Sequence, residues 1–108
     1  MPPMEDTDKQ KEIIHTFEEK YHNGHYMLLC RELNYFTLFE HPVIADTWTE
    51  DLDRFENLVL ECISDIGIVH DMMLTENGDA IEIWVMTPIE EIVCMYLFPY
   101  DAGVVYYK

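Results

Sequence analysis

Apolar residues recur at helical spacing in two stretches of this chain, and crowd into short β-type runs between and after them. Ile13, Ile14, Phe17 and Tyr21 make the first stripe, within a helix predicted from about Thr7 to His22. Thr7 and Gln10 stand at capping-box spacing, and Asn23-Gly24 supplies the stop. The runs His25–Arg31 and Tyr35–His41, joined by Glu32-Leu33-Asn34 and ended by Pro42, read as two strands. A second helix begins near Thr47 or Thr49, with Thr47 and Glu50 again at box spacing, and stops before Gly67. Its stripe is Leu52, Phe55, Leu58, Val59, Cys62, Ile63 and Ile66, with Leu60 well off the stripe.

The next pair of strands is a hairpin around Asn77-Gly78, a dipeptide suited to a type I′ turn. That turn pairs Glu76 with Asp79, Leu74 with Ile81 and Met72 with Ile83, and sets Asp71 opposite Trp84. One face then holds Met72, Leu74, Ile81, Ile83 and Val85, and the other Met73, Glu82 and Trp84. After Thr87-Pro88, the run Ile92–Phe98 and a short strand Val104–Tyr107 form a last hairpin. The order α-β-β-α-β-β-β-β predicts an α+β fold. Tight turns between neighbouring strands favour an antiparallel sheet of about five or six strands, with two amphipathic helices packed on one face. The 108 residues carry no repeat and no Gly/Ser linker, so residues 1–108 are expected to form one compact domain.

Composition leaves the core ordinary and makes the surface unusual. Apolar residues are 49% of the chain, too many for a disordered acidic segment, yet 22 acids face 6 bases for a net charge of −16. So few Lys and Arg cannot line a groove for nucleic acid or an anionic membrane, and they equip the chain poorly for phosphorylated substrates. Spread evenly, the excess is about one charge per 390 Å², against about one per 100 Å² on duplex DNA. Average charge alone is therefore too dilute to imitate DNA. Residues 47–66 carry five of the sixteen excess charges and residues 67–91 carry six, and no base occurs between Arg54 and Lys108.

Little in the chain suggests catalysis. Ser64 is the sole serine and sits in no nucleophile motif, and four scattered glycines form no phosphate-binding loop. Cys30, Cys62 and Cys94 form no CxxC, so they are expected as buried thiols in a reducing compartment. The N-terminal residues show no signal pattern and no apolar run reaches the length of a membrane span, so a cytoplasmic location is expected. Glu12, His15, Glu19 and His22 make two ExxH spacings one heptad apart, an arrangement used by di-iron bundles. Both copies lie on one helix, opposite Ile13, Ile14 and Phe17, so a solvated face is expected and no metal or cofactor is assigned.

The acids are the sharper signal. Glu50, Asp53, Glu61 and Asp65 fall opposite the second helix stripe, and Asp71, Glu76, Asp79 and Glu82 lie on the following hairpin beside Trp84. An aromatic anchor ringed by acids suits a basic partner, provided that Trp84 is not covered by a helix. The expected function is therefore a non-enzymatic acidic binding module or inhibitor. It would occupy a basic surface, of the kind that binds nucleic acid, on another protein, with no direct contact to nucleic acid or membrane. In composition the chain resembles viral DNA-mimic proteins that block host nucleic-acid enzymes, which implies a host-directed target. The alternative is a structural or regulatory α+β module that forms a homodimer or binds a peptide, with the charge serving solubility.

Overall fold

A computed structural model describes residues 7–21, 24–40 and 48–100. The elements are α1 (Thr7–Tyr21), β1 (His25–Cys30), β2 (Tyr35–Glu40), α2 (Trp48–Ile66), β3 (Ile68–Leu74), β4 (Ile81–Met86) and β5 (Ile92–Pro99). The strands form one antiparallel sheet in the order β2-β1-β5-β4-β3. Both helices pack on one face of it, so the chain is α+β with the order α-β-β-α-β-β-β. The expected strand Val104–Tyr107 lies outside the described residues, as does His22.

Hairpin connections account for three of the four strand pairs. The fourth, β1 against β5, draws the last strand into the centre and leaves β2 and β3 at opposite edges. The chain therefore has to travel from one edge to the other, and α2 is the element that crosses. Phe55 of α2 lies 5.1 Å from Tyr26 and 5.8 Å from Phe39, and Phe17 of α1 packs edge-on to Tyr26 at 5.7 Å. Tyr26, Leu28, Ile81, Ile83, Met95 and Leu97 are the sheet's contribution to this core, and none of them is exposed.

The α2 stripe needs one correction. Leu52, Phe55, Val59 and Ile63 are buried and Cys62, Ile66 and Leu60 pack partly against the core, but Leu58 is 46% exposed. At 100° per residue Leu58 falls about 110° from the centre of the buried line and Leu60 only about 90°, on the side that faces α1. The same side carries Glu56, which is buried and hydrogen-bonds toward His15 of α1. Along α1 the buried line is Gln10, Ile14, Phe17 and Glu18.

The β3–β4 hairpin keeps the expected register and changes its turn. Leu74 pairs with Ile81, Met72 with Ile83 and Asp71 with Trp84, and a bulge separates Val69 from Asp71. The connection is closed by the Gly78 N–H donating to the Thr75 carbonyl at 2.8 Å, with Gly78 alone in it at positive φ, so it is not type I′. Asn77 is freed from the left-handed region, and its carbonyl accepts a hydrogen bond from Lys20 Nζ at 2.8 Å. The end of α1 thereby ties down the hairpin tip.

Candidate functional site on the open face of the sheet

Side chains alternate across a strand, so the residues between the core positions point to the other face. On β1 these are His25, Met27 and Leu29, on β2 Phe36, Leu38 and Glu40, and on β5 Ile92, Cys94, Tyr96 and Phe98. Trp84 and Met86 of β4 and Ile68 and Met73 of β3 continue the surface to the far edge. His25, Glu40, Asp71 and Glu82 are the polar exceptions. No described helix lies on this face, and Phe36, Leu38, Ile68, Met73, Ile92 and Tyr96 are each between 38% and 60% exposed. These six side chains alone leave about 500 Å² open, at the upper end of what a monomer leaves to water.

A groove follows β5 along this surface from Cys94 through Tyr96 to Phe98, with Leu29 and Glu32 on one flank and Asp79 on the other. Its polar walls are organised. The β1–β5 ladder ends at the Leu29–Tyr96 pair, and the Cys94 N–H that lies beyond it donates to Glu32 Oε2 at 2.9 Å. Across β5, Tyr96 donates its hydroxyl to Glu82 Oε1 at 3.3 Å. The neighbouring Cys94, and then Glu82, push the Tyr96 hydroxyl up to about 12, so it stays a donor throughout the neutral range.

The predicted site residues divide between two sides of the molecule. Asp53, Glu61 and Asp65 are exposed on α2, in the helical layer, whereas Asp71, Glu82 and Trp84 are half-buried on the open face. Glu76 and Asp79 are exposed at the hairpin tip beside that face. The side chain of Glu50 lies outside the described residues. Asp53 is moreover partly neutralised, since Lys11 of α1 lies 3.2 Å from it. The helix and hairpin acids therefore do not share a surface, because the sheet stands between them.

No protein-family model matches the chain, and comparison with curated proteins and with solved structures finds no match. The bases supply the asymmetry that the acids lack. Among the described residues Lys9, Lys11, Lys20 and Arg54 all stand on the helices, and on the sheet and its turns only Arg31 is basic. The open face and its margins, with Glu90 and Glu91 in the β4–β5 turn as well, are left with acids almost unopposed.

Other chemistry is sparse. His15 meets Glu19 at 2.9 Å and Glu56 of α2 at 3.5 Å, so this histidine belongs to the seam between the helices rather than to the solvated face expected of it. Glu12 and Glu19 are exposed. Among the described residues no group of three or more His, Cys, Asp or Glu side chains is placed to hold a metal ion. Burial is the first cause that raises the Cys30, Cys62 and Cys94 thiols above their ordinary range, and nearby carboxylates add to it. All three should therefore react with a disulfide reagent at pH 7.4 more slowly than free cysteine does, until denaturant exposes them. No helix among the described residues is long and apolar enough to cross a membrane.

Neither the groove nor the apolar face was picked out from the sequence. The signal is there in retrospect: Ile92–Phe98 and Tyr26–Cys30 are apolar at almost every position, which is the mark of strands covered on both faces.

Proposed function

We propose that this chain is an acidic binding protein that occupies a basic surface, of the kind that binds nucleic acid, on a partner protein. The observation that carries this reading is the uneven distribution of charge: among the described residues four of the five Lys and Arg stand on the helices, and the acids of the sheet and its turns outnumber Arg31 and the Lys20 head that reaches the hairpin tip. Carboxylates there would take the place of phosphates as partners for Lys and Arg. Their summed field would steer the encounter and weaken as salt rises.

The placement of the acids favours the sheet side over α2 as the contact surface. With Asp71, Glu76, Asp79 and Glu82 all changed to Lys, capture of basic proteins from a lysate at low salt should be lost. Changing Asp53, Glu61 and Asp65 to Lys should weaken it several-fold at most. Capture that is equally strong at 50 mM and 500 mM salt, or that survives the sheet-side reversal, would falsify the reading.

A further inference from the structure

The acidic reading leaves an apolar surface unexplained. An antiparallel sheet with one solvated face ordinarily alternates apolar and polar positions, yet here the outward positions are nearly as apolar as the inward ones. A sheet apolar on both sides calls for a layer on each, and among the described residues only one face has it.

We infer that the open face docks an amphipathic helix of the partner, with a stripe of aliphatic and aromatic residues flanked by Lys and Arg, seated along β5. This rests on the reading proposed above and specifies the partner's chemistry. Three observations select that occupant.

The first is shape. The groove runs along Cys94–Pro99, about 17 Å at strand rise, which matches a helix of about 11 residues. The second is the lining: Leu29, Tyr96 and Phe98 give an apolar floor of the sort that receives side chains at i, i+3, i+4 and i+7. The third is charge. Glu32 and Glu40 lie toward the β2 edge, with Arg31 the one base among the groove's described lining residues, and Asp79, Glu82 and Asp71 lie toward the β3 edge, so acids outnumber bases on both sides of the floor. A helix with basic flanks is matched on each side, whereas a second copy of this face would set these acids against one another and bring two chains of net charge −16 together.

The experiment uses three synthetic peptides of about 11 residues. One is a Leu/Lys sequence of helical period, one has the same composition with that period scrambled, and one is oligolysine. Binding to the full chain is read by calorimetry at low salt, alongside sedimentation of the chain alone. The expected result is that the helical peptide binds at least tenfold more tightly than its scrambled isomer. Tyr96→Ala and Trp84→Ala, each checked for an unchanged far-ultraviolet spectrum, should each weaken it about tenfold, and Glu61→Lys should not. If the two isomers and oligolysine bind alike, charge alone is recognised, and the inference falls while the acidic-surface reading stands. If none binds, both fall. If the chain sediments as a dimer that Tyr96→Lys dissociates, the face belongs to a second copy and the inference is overturned.

Discussion

Gly67→Ala is expected to cost about 3 kcal/mol of stability or more. Gly67 closes α2, its N–H donating to the Ile63 carbonyl at 3.1 Å, and passes the chain directly into β3. To make that corner its backbone presses against β4. A Cβ here would sit inside the van der Waals shell of the Met86 carbonyl oxygen and only 2.8 Å from the carbonyl carbon. Those atoms are main chain in a paired strand, so relief means moving β3 away from β4 at the Ile68–Met86 end of their ladder.

Gly78 is the useful contrast. A Cβ there would meet Lys20 Nζ at 2.7 Å, the far end of a flexible side chain, although its φ of +69° is itself unfavourable for alanine. The cost of Gly78→Ala should be about 1 kcal/mol. Denaturant titration of both variants checks the pair. Equal losses would show that close approach to β4 is not what Gly67 provides.

The second large effect is a dependence on pH that runs opposite to ordinary acid denaturation. Glu18 lies on the buried line of α1 and is not exposed at all. Burial pushes its carboxyl from the usual 4.5 up to about 7, opposed in part by the Tyr26 hydroxyl. Below about pH 4.5 the group is protonated in both folded and unfolded chains, and its contribution to stability is complete. Between 4.5 and 7 the unfolded chain releases the proton while the folded chain keeps it, so stability falls as pH rises. Above about 7 the loss is complete, at up to about 3 kcal/mol. Glu56, raised chiefly by burial and held down in part by His15 and Lys11, acts in the same direction.

Glu18→Gln keeps the shape and removes the titration. Its stability relative to the unaltered chain should therefore grow by about 3 kcal/mol between pH 4.5 and pH 8. Mutual repulsion among the surface acids also intensifies with pH, but it is common to both chains and cancels in their difference. Urea unfolding at the two pH values reads the effect, and a constant gap between the chains would mean that Glu18 is ionised in the folded state. The amphipathic pattern of α1 does not announce this residue. Glu18 occurs in the run Phe17-Glu18-Glu19, where its charge suggests the solvated side, and only the packing of α1 over the sheet places it one position past Phe17 on the buried line.

Most of the local architecture was legible because it depends on neighbours in the chain. Periodicity located both helices, and the hairpin register Leu74 to Ile81 followed from alternation together with a short connection. The turn type was misread because Asn-Gly permits two positive φ angles without requiring them, and the bond from Lys20 engages the Asn77 carbonyl in another conformation. The candidate site was less legible. Trp84 was placed correctly opposite Asp71, but which side of the hairpin met the helices could not be read from either strand.

The sequence by itself determined the element order, the antiparallel class, the pairing of adjacent strands and the excess of negative charge, since each follows from composition or from contacts short in sequence. Tertiary structure alone decided that β1 pairs with β5, that α2 crosses from one sheet edge to the other, and which face of the sheet the two helices cover. Those choices put the sheet between the acids of α2 and those of the hairpin. They also leave Trp84 and Tyr96 on the uncovered side. The physical reason is that a strand apolar on both faces satisfies its local pattern with either side inward. Only the competition among distant elements for one shared core selects the face that remains open.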